Sequence, residues 1–257
     1  MRRRRKSMDE HGGKAMSLLE HLSELRQCLI RSFAAVLVCF ILAMIFSREL
    51  IEFLKGPLRS ALPAAEEVLH FTGPLDVFLT SIRVSLLSAV IVSSPVWIWQ
   101  FWKFIEPALY EHEKKLVLPF IFASTSLFIS GIAFCFWVIF PLALEFLIQL
   151  GQEVGVPMIT ITDYVSMLTL MILGFGLVFE TPVILVLLAV LDLVSAEGLA
   201  KYRRYVIVGT LFVGAVLTPP DPMSQIGMAL PLYVMYELSI LVIRMIRKSP
   251  SKKTSDV

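Results

Sequence analysis

The sequence predicts an all-α integral membrane protein with six transmembrane helices and both termini in the cytoplasm. Composition is the first observation behind this: 57% of the 257 residues are hydrophobic and 17% are charged, against about 45–50% and about 25% in a soluble domain. The second is a set of six apolar runs near residues 28–46, 75–99, 116–142, 163–191, 205–217 and 226–243. Crossing a hydrocarbon core of about 30 Å takes roughly 20 such residues at about 1.5 Å each. A β-barrel would need strands that alternate in polarity over about ten residues, and runs such as VLVCFILAMIF do not alternate. The third is charge placement. With the N-terminus inside, 18 of the 23 Lys and Arg lie on the cytoplasmic side, and the opposite loops hold only Arg48, Lys55 and Arg59. Positive charge is retained in the cytoplasm, and an even number of spans returns the C-terminus there. Arg31 and Arg83 fall inside spans, where they snorkel or pair.

In chain order, residues 1–16 form a basic extension whose Arg2 to Arg5 read as a lipid-facing topology anchor rather than part of a secretory signal. No apolar stretch follows until about residue 28. Residues 17–27 read as an amphipathic cytoplasmic helix opened by Ser17, with Glu20 at the capping-box position. After the first span, Leu50, Ile51, Leu54, Leu58 and Leu62 make a stripe suited to a short interfacial helix broken near Gly56-Pro57. The fifth span has only thirteen residues, about 20 Å of helix, so the bilayer must thin or flanking polar residues must be drawn in. The hairpin that follows, LTPPDPMSQ, is stiffened by three prolines. With no internal repeat, residues 17–245 make one membrane domain, and residues 246–257 a basic tail. Cys28, Cys39 and Cys135 are scattered in or beside spans, and no disulfide is expected.

Chemistry is sparse. No HExxH or GxSxG pattern occurs, and Glu111-His112-Glu113, though ligand-like in type, would point about 100° apart on a helix. Neither a catalytic residue, a metal nor a cofactor is expected. Glu180 is an acid in mid-span just before Pro182, which fits either a structural hydrogen-bonded carboxyl or an ion-coupled small-solute transporter. The sequence also collects acids on the face meant for cations: Glu20 and Glu24 one turn apart, then Glu106, Glu111 and Glu113. Ordinary solvated loop charge would account for them, as would a positively charged partner.

Four segments are familiar as a set: HLSELR (His21 to Arg26), FIEPALYEHEKK (Phe104 to Lys115), FGLVFETPV (Phe175 to Val183) and LTPPDPMSQ (Leu217 to Gln225). In order and spacing, over residues 17–245, they resemble TatC, the polytopic receptor family of the twin-arginine protein translocase. Lys55 to Leu58 and Ser94-Pro95 fit as well. The resemblance implies a cup-shaped six-helix fold in a bacterial cytoplasmic membrane. That protein would be a binding protein without a catalytic cycle, reading twin-arginine signal peptides of folded precursors during transport driven by the proton-motive force. Carried over, Glu24 and Glu113 would contact the paired arginines, with His21, Arg26 and Phe104 in the same site. Glu180 and Gln225 would form a polar membrane face, and Pro57, Pro95 and Asp221 would be structural positions toward the periplasm. Implied partners are the single-span TatA and TatB, further TatC copies and membrane lipid, with no nucleic acid.

Overall fold

A computed structural model describes residues 18–61, 70–71, 73–109, 114–152, 159–217 and 222–248, and these are helical almost throughout. The basic extension, Ser17, Leu62, Glu111 to Glu113 and Asp221 lie outside them. Among the described residues five helices are long and apolar enough to cross a bilayer: Glu20–Ile45, Pro74–Val92, Val117–Gln152, Ile161–Val190 and Gln225–Ile246.

The first helix, α1 (Leu18–Ile45), is continuous. The separate amphipathic helix expected over residues 17–27 is therefore its first turns, because neither Gly nor Pro interrupts the chain between Glu20 and Phe46. Two short helices follow, α2 (Ser47–Leu54) and α3 (Gly56–Ala61), and the break falls at Lys55 as the Gly56-Pro57 pair predicts. Leu58 and Pro57 are buried, and Tyr164 donates its hydroxyl to the Leu54 carbonyl at 2.5 Å. On the outside of the turn Glu52 accepts from Lys55 at 3.0 Å and from Arg59. The hydrogen bond from Lys55 comes first in holding the Glu52 carboxyl below the usual range, and the charges of Lys55 and Arg59 add to it.

The second span is two helices, α4 (Pro74–Val92) and α5 (Ser94–Ile105). Pro95 has no N–H for the Ile91 carbonyl, and Trp97 Nε1 donates to the Val90 carbonyl at 3.1 Å beside that break. The third span, α6 (Val117–Phe134) with α7 (Phe140–Gln152), is joined by one wide turn over Cys135–Ile139. Pro141 cannot bond back to Trp137, and a turn with i→i+5 bonds absorbs the mismatch.

The fourth span is α8 (Ile161–Phe179) and α9 (Thr181–Val190), parted at Glu180. A short α10 (Ala196–Lys201) leads into α11 (Arg203–Leu217) and α12 (Pro222–Lys248). At 15 residues α11 is two longer than expected, yet its reach of about 22 Å still falls short of a 30 Å core. Helix α12 runs to Lys248, past the boundary at 245 where the tail was expected to begin.

Helix α8 is the hub: α4, α6, α11 and α12 all pack on it. Two glycines allow the closest approach, since a Cβ on Gly131 would meet the Phe175 carbonyl at 2.8 Å and one on Gly176 would meet the Phe128 ring at 2.7 Å. Helix α1 is peripheral, packed on α4 and α5 with no fully buried residue among its described side chains. The side of the bundle where α1, α6 and α11 begin is called the near side below, and the side where α4, α8 and α12 begin the far side. On the far side His70 is stapled to the start of α8, its N–H donating to Ile159 at 3.0 Å and its carbonyl accepting from Ile161 at 2.8 Å.

Candidate functional site

Two of the four sequence segments meet at the near side. His21, in the first turns of α1, stacks on Phe104 near the end of α5, with ring centroids 4.4 Å apart and planes 18° from parallel. Glu24, one turn on from His21, places Oε2 4.0 Å from His21 Nδ1 and keeps about 40% of its side chain exposed. Arg26 is exposed on the same helix. Glu113 precedes Lys114, where the described chain resumes, and itself lies outside the described residues.

Phe104 is aimed at α1 because its neighbours hold α5 elsewhere. Trp102, 2% exposed, stacks on Phe120 of α6 at 5.0 Å, and beyond Phe104 the chain turns through Glu106–Ala108 to bury Leu109. A ring two residues past Trp102 points about 200° away from it, toward α1. The result is a clasp between the HLSELR and FIEP segments with a carboxylate at its open edge.

A second polar group lies deeper. Trp102 Nε1 donates to the Ser124 hydroxyl at 3.1 Å, and Glu180 is the acid that lies toward that hydroxyl. Glu180 sits at the α8–α9 break, where Pro182 leaves the Val178 carbonyl without its usual donor, and the Thr181 hydroxyl takes that carbonyl at 2.6 Å. Among the described residues Glu180 Oε1 has no hydrogen-bond partner. Sequence reasoning found Glu180 and the break but not Trp102 or Ser124, which lie 78 and 56 residues away and carry no motif of their own.

Gln225 is half-buried and donates from Nε2 to the Leu211 carbonyl at 2.9 Å, clipping α12 to α11. At the near end of the same pair, Arg203 Nη2 bonds Glu237 at 2.6 Å and Tyr233 donates to that carboxylate at 2.9 Å. Pro57 and Pro95 stand at the helix breaks described above. Among the described residues no group of three His, Cys, Asp or Glu is placed to hold a metal ion.

The profile of the family described as Sec-independent protein translocase protein (TatC) matches residues 20–231. The chain belongs to the TatC family. A TatC of Helicobacter pylori (strain J99) is 38% identical over 239 residues, 93% of each chain, and one of Escherichia coli (strain K12) is 39% identical over 228 residues, 88% of each. A crystal structure of the twin-arginine translocase receptor TatC superposes with a TM-score of 0.77 at 37% identity, covering 89% of this chain and all of that one. A second crystal structure of TatC gives 0.78 at 38% identity, over 87% of this chain and 99% of that one. The chain therefore has the six-helix TatC fold, with α11 as its short fifth span, and is a multi-pass membrane component of the Sec-independent protein translocase, not an enzyme.

Proposed function

We propose that this chain is the subunit that reads twin-arginine signal peptides, with its near side in the cytoplasm and the two guanidiniums bound by Glu24 and Glu113. The single observation that carries this reading is the His21–Phe104 clasp, which fixes the start of α1 against the end of α5 and leaves the Glu24 carboxylate open beside it. Two adjacent arginines need acceptors in fixed positions, and carboxylates supply charge-assisted, often bidentate bonds that lysine pairs match less well. Orientation with both termini inside follows from the Lys and Arg asymmetry. Docking of single-span TatA- and TatB-type partners along α11 and α12, and a role for Glu180 on the polar membrane face, belong to the same proposal.

The test is fluorescence anisotropy of a labelled twin-arginine peptide on detergent-purified protein. Charge-assisted bonds contribute about 1.5–3 kcal/mol each, so Glu24→Gln or Glu113→Gln should weaken binding by about tenfold or more. A paired-lysine peptide should bind the wild type poorly and lose less on mutation. Wild-type affinity in a folded double Gln variant would make these acids solvated loop charge. Solute flux through liposomes holding this chain alone would instead support the transporter reading.

A further inference from the structure

Arg83 is a charged side chain in an apolar span that the signal-peptide reading does not use. It sits nine residues into α4 after Pro74 and is exposed. Its Nη1 donates to Ser166 Oγ on α8 at 2.7 Å, and the Ser166 hydroxyl donates onward to the Thr162 carbonyl at 2.6 Å. Among the described residues no carboxylate lies within ion-pair distance of it. Asp163, the acid one turn before Ser166, accepts from the Thr160 hydroxyl at 2.7 Å. A guanidinium has five N–H donors, so most of them face a surface lined by lipid, where unmet donors are costly.

The depth of this contact agrees with an independent feature. Ser166 is the sixth residue of α8, so the contact lies about 7–8 Å from the far-side end of that helix. Helical Cβ bonds lean toward the N-terminus, which sends the Arg83 side chain further toward the far side. Helix α11 leaves about 7–8 Å of a 30 Å core uncovered. Lys201 and Arg204 are exposed at its near end, where such side chains favour headgroups, which puts the deficit on the far side. Because α11 packs on α8, the thinned patch adjoins the surface that carries Arg83. Below Arg83 on that surface, Leu86, Leu170 and Leu177 are each about half or more exposed, an apolar lane for hydrocarbon.

The geometry points to Arg83, aimed by Ser166, as the binding site for the phosphate of one far-side phospholipid whose acyl chains lie along the leucine lane. The lipid completes the guanidinium's hydrogen bonds and holds the thinned leaflet at the depth that the short α11 sets.

Native mass spectrometry of the delipidated full chain in detergent tests this by titration with phosphatidylglycerol and with diacylglycerol of the same chains. Arg83→Gln should weaken the tightest phosphatidylglycerol by about tenfold or more, while Arg83→Lys keeps more of the affinity and diacylglycerol binds all three proteins alike. Equal phosphatidylglycerol binding by wild type and Arg83→Gln, or an equal loss for diacylglycerol, would overturn the site. So would displacement of the lipid by an equal concentration of inorganic phosphate, which would make the ligand a free anion. If Arg83→Gln does not fold, Ser166→Ala removes only the hydroxyl that aims the guanidinium and should cost about two- to tenfold. Unchanged binding in that folded variant would overturn the assignment equally.

Discussion

Gly131→Ala should destabilise the protein even though alanine is the better helix former. The added methyl would lie 2.8 Å from the Phe175 carbonyl oxygen and 2.7–2.8 Å from Phe179 Cγ and Cβ. A flexible side-chain tip could swing aside, but a backbone carbonyl within α8 cannot, so α6 and α8 must separate by roughly half an ångström or more to restore ordinary contact. Overpacking of this kind costs about 1–3 kcal/mol, offset by about 1 kcal/mol of helix propensity. Gly209 in α11 is the internal control, because a Cβ there meets nothing within 4 Å and only the propensity gain remains. The two variants should differ by about 1–3 kcal/mol, or roughly 2–12 °C in thermal midpoint for a chain of this size. Thermal unfolding in detergent, followed by tryptophan fluorescence, reads the difference because Trp97 and Trp102 pack next to α6. Equal midpoints for the two variants would refute the claim that the α6–α8 approach is limited by backbone contact at Gly131.

Two further outcomes follow from the polar contacts. Ser124→Ala removes the acceptor for the Trp102 indole and should cost about 1–3 kcal/mol with a shift in Trp102 emission, whereas Ser124→Thr should restore most of both; the same unfolding assay checks it. Glu52 has a lowered folded-state pKa, so its ion pairs stabilise fully above its ordinary value near 4.5 and are lost as pH falls through the lower folded value. The stability difference between wild type and Glu52→Gln should accordingly be flat above about pH 5.5 and shrink on acidification below pH 4, and a difference that grew instead would contradict the pairing.

How much of this was legible in the sequence depended on whether the signal was local. Spans, the break at Gly56-Pro57 and the bend at Glu180 come from apolar length and from prolines that remove specific N–H groups, so they read directly. Where one helix stops and the next begins was harder. Residues 17–27 look amphipathic alone, yet nothing in them ends a helix, and α1 runs straight through. Glu24 and Phe104 stood out by residue type and motif, whereas the ring stack joining their segments needs the tertiary packing of α1 on α5. Ser124 and Ser166 look like ordinary span residues, and only packing shows that one accepts from the Trp102 indole and the other from the Arg83 guanidinium.

The wide turn in the third span also changes how its buried stripe should be counted. Before it the stripe alternates fours and threes, through Val117, Ile121, Ser124, Phe128 and Gly131. From Ile132 onward it advances only in fours, through Phe136, Phe140, Leu144 and Ile148. On a regular helix every step of four overshoots by about 40°, and four such steps would carry the stripe roughly 160° around toward lipid. One surplus residue, worth about 100°, takes up most of that drift. Deleting a single residue from Cys135–Ile139 would therefore leave Phe140 and Leu144 within about 20° of the face set by Ile132, on a helix about 1.5 Å shorter that still carries Pro141. The turn stores one residue of slack, enough to change the length of this helix without changing which of its side chains meet the core.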